Sequence, residues 1–181
     1  MNINGLQMSN VRSVSVDLHH EITQFLFREA RMLDQEMLRE WLDTVVDPGV
    51  RYQMISHQER YRKDSSPAGA RQALPYDDDY AALNLRVRQY ETGLQTMLDP
   101  PQRTRRVVTN VEAFHGEKEQ DYVVLSCGIF SRFRRLYEHE QTVFGREDIL
   151  RKGQDGVFRL LSRRIDLDER VVRNKNLLLF L

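Results

Sequence analysis

The 181 residues include 27 lysines and arginines and 27 aspartates and glutamates, so the formal net charge at pH 7 is zero. This length predicts one ordinary domain with its own core. A neutral chain lacks the basic surface field that DNA or RNA binding usually needs, so composition argues against a nucleic-acid partner. The single cysteine, Cys127, excludes an internal disulfide and any zinc or iron–sulfur site that several thiolates of this chain alone would form.

The first residues give no sign of export or membrane insertion. The segment MNINGLQMSNVRS lacks the charged-then-apolar layout of a signal peptide, and no apolar run approaches the roughly 18 to 20 residues of a membrane span. We therefore expect a cytoplasmic protein that has no membrane partner. Residues 1–16 show no hydrophobic period and predict an N-terminal arm, followed by a single domain over 17–181.

Two helices are predicted next. From Asp17, a candidate N-cap, apolar residues recur at spacings of three and four, as on one face of an amphipathic helix. The residues of this face are Ile22, Phe25, Leu26, Ala30 and Leu33. Asp34 is a candidate cap for a second, shorter helix. The buried side of that helix is predicted to contain Met37, Leu38, Trp41, Leu42 and Val45.

A strand, a loop and a third helix are predicted after Asp47, Pro48 and Gly49 end the helical pair. The alternation in VRYQMI (50–55) predicts a strand with Val50, Tyr52 and Met54 on its buried side. The polar segment 58–78, which contains Pro67, Gly69 and Pro75, predicts a long surface loop. Residues 77–79 are candidate caps for a third helix that ends at Asp99 and Pro100. Its apolar positions are Leu83, Val87, Tyr90, Leu94 and Met97.

After Pro101 the hydrophobic period changes to two. Four segments rich in β-branched and aromatic residues, 103–114, 121–135, 136 to about 151 and 157–167, are separated by turn sequences such as HGEKEQ and KGQDG. They predict long strands of one antiparallel sheet. Helices followed by a sheet of hairpins predict an α+β fold, in which a twisted sheet wraps around the helices as a cone with one open end.

Arginines are concentrated at the entrances of two predicted strands. In RTRRVVTNV, alternation places Arg103, Arg105, Val107, Thr109 and Val111 on one face and Arg106 on the other. These arginines are interpreted either as rim residues paired with carboxylates or as donors at a protein interface. The stretch SRFRRLYEHE offers Arg132 and Arg134 near Glu138 and Glu140, which favours cross-strand ion pairs on a solvated or interfacial face.

Signals for catalysis and metal binding are weak. The five histidines show no spacing typical of a metal site, and Cys127, within YVVLSCGIF, is expected to be a buried core residue. Nucleophile-elbow, P-loop and dinucleotide-binding motifs are absent from the sequence. An acid–base pair inside the cone is retained as an alternative, and His57 with Asp34 is the candidate pair.

The final stretch NKNLLLFL has five successive apolar residues at 177–181, which are apolar on both faces if extended. Burial of each such side chain stabilises by roughly 1.5 to 3 kcal/mol, and exposure of all five would favour aggregation. We expect them to be covered either by a partner chain or by the core of this chain.

Taken together, four stretches resemble the small, or beta, subunit of aromatic-ring-hydroxylating dioxygenases, the Rieske non-haem iron oxygenases. They are FREARMLDQEMLREWL, DPPQRTRRVVTNV, FGREDILRKGQDG and RRIDLDERVVRNKNLLLFL. The resemblance implies an NTF2-like, or cystatin-like, cone and assembly with a larger alpha subunit, commonly as three alpha and three beta chains. It also implies that the Rieske 2Fe–2S cluster and the mononuclear Fe(II) belong to the alpha chain, which receives electrons from NADH.

The resemblance therefore predicts a structural subunit with no catalytic, cofactor-binding or metal-binding residue of its own. Residues expected at subunit interfaces are Arg103, Arg105, Arg106, Arg132, Arg134, Leu177, Leu179, Phe180 and Leu181. The alternative function is a stand-alone NTF2-like isomerase or dehydratase that uses an acid–base pair in its cone.

Overall fold

The structure is a computed structural model that describes residues 2–3, 6–7, 12–56, 73–93, 102–134, 138–168 and 180–181. Three helices and eight strands lie within these residues. In chain order they are β1 (Asn2–Ile3), β2 (Leu6–Gln7), α1 (Val16–Asp34), α2 (Leu38–Thr44), β3 (Val46–Ser56), β4 (Ala73–Asp78), α3 (Tyr80–Glu91), β5 (Arg103–His115), β6 (Asp121–Arg134), β7 (Glu138–Lys152) and β8 (Phe158–Leu167).

Six of the described strands form one open sheet in the order β4-β3-β8-β7-β6-β5. Neighbouring strands are antiparallel except β3 and β8, which pair in parallel. The helices cover one face of this sheet, where α1 contacts β5 and α3 contacts β3. The predicted α+β fold, with a mainly antiparallel sheet that follows the helices, is confirmed.

Helix boundaries differ from prediction at two caps. Ser15, not Asp17, caps α1, because its side chain accepts a hydrogen bond from the backbone N–H of Leu18. Asp34 does not cap α2, which starts after Met37 without a side-chain cap. The carboxylate of Asp34 instead binds a distant strand residue, described below. The predicted cap among residues 77–79 is confirmed at Asp79.

Two segments predicted to lie outside the strands take part in the sheet. The Asp47, Pro48 and Gly49 turn lies inside β3, where a shift in register with β8 between Val46 and Arg51 accommodates it. The loop predicted over 58–78 is wrong for Ala73–Asp78, which pairs with β3 as the edge strand β4. The third helix ends at Glu91 and not at Asp99 as predicted, since Gly93 takes a positive φ of 64° just beyond it. Residues 57–72, and the predicted helix positions Leu94 and Met97, lie outside the described residues.

The core lies between the helices and the inner face of the sheet. The predicted buried faces of α1, α2 and β3 are confirmed except at Met37, which is half-buried. Trp41, the only tryptophan of the chain, has no exposed surface. Phe180 and Leu181 are also buried in this core, since they are 3% and 1% exposed. The final apolar stretch was expected to be covered either by a partner chain or by the core of this chain, and for Phe180 and Leu181 the core of this chain provides the cover.

Candidate functional site

Four charged side chains meet inside the fold, on the helix-covered face of the sheet. We call Glu29, Arg146, Asp148 and Arg163 the interior charge cluster. Each of the four side chains is at most 4% exposed. Two carboxylates face two guanidinium groups, so the cluster is neutral as a whole. Burial of charge on this scale is tolerated only where the charges are paired and hydrogen-bonded.

Arg163 is the centre of this cluster. Its Nη1 and Nη2 atoms each donate to Glu29 across 2.7 Å, and its Nε and Nη2 atoms donate to Asp148 across 2.8 and 2.9 Å. Trp41 Nε1 also donates to Glu29, at 3.1 Å. Two bidentate contacts to one guanidinium fix the positions of α1, β7 and β8 relative to each other.

Ion pairing within the cluster keeps Glu29 negatively charged and Arg163 positively charged. Burial alone would raise the pKa of Glu29, but Arg163 and then Arg146, with the hydrogen bonds to Glu29, lower it to about 2. Burial likewise disfavours the charged form of Arg163, yet Asp148 and Glu29 outweigh this effect and raise its pKa. The carboxylate of Glu29 is therefore ionised and occupied by donors, which suits it to hold structure rather than to exchange protons.

Arg106 extends this polar interior toward β5. Its backbone N–H and Nη1 donate to the carboxylate of Asp34 across 3.0 and 2.7 Å, and its Nε and Nη2 donate to the carbonyl oxygen of Phe180. The Arg106 side chain is only 8% exposed. Of the two interpretations of Arg106, pairing with a carboxylate is confirmed, but the guanidinium lies inside the chain and not at its rim.

Residues 180 and 181 complete the interior. The ring of Phe180 lies 4.9 Å from that of Trp41. The hydroxyl of Tyr52 donates to the carbonyl oxygen of Leu181 and accepts from its backbone N–H, both at 2.8 Å, and Arg163 Nη1 donates to the same oxygen at 3.0 Å. Phe180 and Leu181 therefore offer their side chains to this core and not to a neighbouring chain.

The outer face of the sheet carries the exposed arginines. Arg103 and Arg105 point outward, and the Arg105 side chain is 70% exposed. A bulge follows, since Asn110 has a φ of 51° and the register with β6 shifts between Thr109 and Glu112. Val111 therefore packs against the core, and its predicted place on the same face as Arg103 is wrong.

Beside Arg105, the outer face carries one row of apolar side chains across three strands. Val107, Ile129 and Val143 lie directly opposite one another on β5, β6 and β7, and we call them the outer apolar row. Val107 is 49% and Val143 43% exposed. In the next row Cys127 is exposed, so its predicted burial is wrong. Its neighbours in sequence, Ser126 and Gly128, take the inward positions of β6.

The second arginine-rich stretch forms the expected cross-strand pair. Arg132 on β6 lies opposite Glu140 on β7, and their side chains are hydrogen-bonded. The side chains of Arg134 and Glu138 lie outside the described residues, as do Leu177 and Leu179.

Within the described parts of the chain, no three His, Cys, Asp or Glu side chains lie close enough together to hold a metal ion. No helix in those parts has the length and hydropathy needed to cross a bilayer. The candidate acid–base pair of His57 and Asp34 is not supported, because Arg106 binds the carboxylate of Asp34. His57 lies in the segment that is not described.

Sequence reasoning missed the interior charge cluster, although part of the signal was present. Glu29 follows Phe25 by four residues and precedes Leu33 by four, so it lies on the apolar face of α1. A charged residue in that position indicates a buried partner. Which residue provides that partner depends on strand register, which the sequence leaves open.

Comparisons with known proteins place these features in a wider context. A protein-family model described as Ring hydroxylating beta subunit matches residues 28–174. Biphenyl 2,3-dioxygenase subunit beta of Rhodococcus jostii is 31% identical in an alignment 172 residues long, and the match covers 92% of this chain and 90% of that protein.

Solved structures agree with these matches. A chain in the structure of naphthalene 1,2-dioxygenase with indole bound in the active site superposes with a TM-score of 0.86 at 29% identity, covering 93% of this chain and 88% of that chain. An NTF2-like protein with a cystatin-like fold from Novosphingobium aromaticivorans superposes with a TM-score of 0.53 at 14% identity, covering 89% of this chain and 88% of that chain, and shows likeness of fold alone. The expected NTF2-like fold is confirmed.

Proposed function

The chain belongs to the ring hydroxylating beta subunit family, and we propose that it is the structural, non-catalytic subunit of a multicomponent aromatic-ring-hydroxylating dioxygenase. The observation that carries this proposal is the 31% identity to a dioxygenase beta subunit over 92% of the chain. In the proposed assembly the chain binds and stabilises a catalytic alpha subunit, as three alpha and three beta chains. The holoenzyme acts on an aromatic hydrocarbon or aromatic acid.

The cofactors of the proposed holoenzyme do not fit this chain. A Rieske 2Fe–2S cluster takes two cysteines and two histidines, whereas the only cysteine here is Cys127, exposed on the outer face of the sheet. We therefore assign the cluster and the mononuclear Fe(II) to the alpha subunit, where they activate oxygen with electrons from NADH. This chain contributes a folded domain that stabilises the alpha subunit and a surface that contacts it.

The outer face of the sheet is our proposed contact surface. The outer apolar row, with Arg103 and Arg105 beside it, combines an apolar centre with guanidinium donors at the rim, the composition typical of protein interfaces. By contrast, Arg106 and residues 180 and 181 support this surface from inside, because they hold β5 to α1 and to the core. Arg134, Leu177 and Leu179 remain proposed interface residues.

Co-expression with a tagged alpha subunit tests this proposal. We expect the untagged chain to co-purify in equal amount, and the double variant Arg103→Ala/Arg105→Ala to bind with roughly three- to tenfold lower affinity, because exposed rim charges contribute modestly. The matched control is Arg51→Ala/Arg159→Ala, which removes two arginines from β3 and β8. Failure of the parent chain to co-purify would refute assembly, and equal binding by both double variants would refute the proposed surface.

A further inference from the structure

Phe180 and Leu181 are held in the interior as a ligand would be held in a binding site. Side chains from four separate elements contact them: Trp41 from α2, Tyr52 from β3, Arg106 from β5 and Arg163 from β8. Every hydrogen bond in this set runs from a buried side chain to the backbone of the two residues or, for the Leu181 N–H, back to Tyr52. Because these contacts involve only backbone atoms and one ring, a peptide that is not covalently joined to the chain can make the same contacts.

The site is rich in donors that seek an oxygen acceptor. Arg106 gives two N–H groups to the carbonyl oxygen of Phe180, and Tyr52 with Arg163 gives two more to that of Leu181. Arg146 lies deeper in the same interior, where its Nε and Nη2 atoms make no aligned hydrogen bond within the described structure although Nε is 3.0 Å from Asp148. If residues 180 and 181 left, the donors of Arg106 and Tyr52 would be buried without acceptors, which is unfavourable.

We propose that the interior of the sheet is a binding site for an aromatic residue followed by a peptide carbonyl group, and that the chain fills this site with its own Phe180 and Leu181. The ligand class follows from the contacts. A ring packs on the indole of Trp41, and the two carbonyl oxygens that follow meet the donors of Arg106, Tyr52 and Arg163. This inference is independent of assembly with an alpha subunit.

Trp41 makes the occupancy of the site measurable, because it is the only tryptophan of the chain and is fully buried beside Phe180. In the chain of 181 residues, Phe180→Ala should shift the tryptophan emission to longer wavelength and increase its quenching by acrylamide. Phe158→Ala is the matched control, since Phe158 is similarly buried but packs against Phe25 and Tyr122. Equal spectra for the two variants would overturn the proposal.

A variant that lacks residues 180 and 181 tests binding in trans with acetyl-Phe-Leu as the probe. We expect one dipeptide to bind per chain, with a Kd on the order of 1 mM for a ligand of this size, and to restore the tryptophan emission of the parent chain. Acetyl-Leu-Phe, which has the same composition in reverse order, and acetyl-Ala-Ala should not restore it. The parent chain should bind none of the three peptides, because its site is filled.

Each result with the shortened variant either supports or overturns an independent binding site for the dipeptide. Recovery of folding or of tryptophan emission with acetyl-Phe-Leu alone supports an independent site. Equal effects of acetyl-Phe-Leu and acetyl-Leu-Phe would overturn the proposed site. A folded variant that binds neither dipeptide would also overturn it. A variant that stays unfolded even with saturating dipeptide would also overturn it, because the two residues would then act only as a covalent part of the core.

Discussion

Substitution of Glu29 by glutamine should remove a defined part of the acid sensitivity of the fold. The pKa of Glu29 is lowered from 4.5 to about 2 in the folded chain. Because the folded pKa is the lower one, the stabilisation is fully present above pH 4.5 and is lost as the pH falls toward 2. The difference between these pKa values, at about 1.36 kcal/mol per unit, corresponds to about 3 kcal/mol of unfolding free energy.

Urea unfolding followed by circular dichroism between pH 2.5 and pH 7 measures this contribution. At pH 7, Glu29→Gln should lower the unfolding free energy by about 3 to 5 kcal/mol, since Arg163 and Arg146 then share the single carboxylate of Asp148. Glu91→Gln is the control, because Glu91 forms a comparable bidentate pair with Arg39 at the surface and is 47% exposed. That control should cost far less stability than Glu29→Gln, because solvent screens an exposed ion pair.

The difference in unfolding free energy between the parent chain and Glu29→Gln should narrow by about 2 kcal/mol as the pH falls from 5 to 2.5, with the remainder lost only at still lower pH. Parallel loss of stability in both proteins would refute the low pKa of Glu29. A cost at pH 7 no larger than that of Glu91→Gln would refute the structural importance of the interior charge cluster.

Three further predictions concern the sheet. Gly128→Ala should destabilise the fold by about 1 to 3 kcal/mol in chemical unfolding, because the added Cβ would collide with the ring of Phe144. Gly145→Ala should be nearly neutral, because Gly145 lies opposite Cys127 on the outer face and an added Cβ would meet nothing within 4 Å; equal costs would contradict the inner and outer assignment of the two glycines. Cys127 should react with Ellman's reagent in the native chain at the rate of an exposed thiol, and reaction only after unfolding would contradict its outward position. Asp34→Ala should cost about 3 to 5 kcal/mol by leaving a buried guanidinium unpaired, and a cost below about 1 kcal/mol would show that this pair is dispensable.

The order and type of elements were predictable because hydrophobic period depends on local sequence. The spacing of Ile22, Phe25 and Leu26 identifies the buried face of α1, and β8 alternates as predicted through most of its length. The boundaries of β5 to β8 agree with prediction to within a few residues. Residues 73–78 were missed because pairing with β3, and not their own composition, makes them a strand.

Features that depend on register were not predictable. YVVLSCGIF is apolar at almost every position, so period alone does not show which side of β6 Cys127 takes. The bulge at Asn110 reverses the faces of β5 and brings Val111 inward. Glu29 and Arg163 are 134 residues apart in sequence, and the contact that joins them exists only once the sheet has formed over α1.

We propose that this chain supports a catalytic alpha subunit and does not itself oxidise a substrate. Oxygen uptake with an aromatic hydrocarbon, NADH and the electron-transfer components measures this directly for the purified chain, for the alpha subunit and for the two together. We predict uptake coupled to ring hydroxylation by the combined subunits and none by this chain alone. Hydroxylation of the substrate by the purified chain without an alpha subunit would contradict the account.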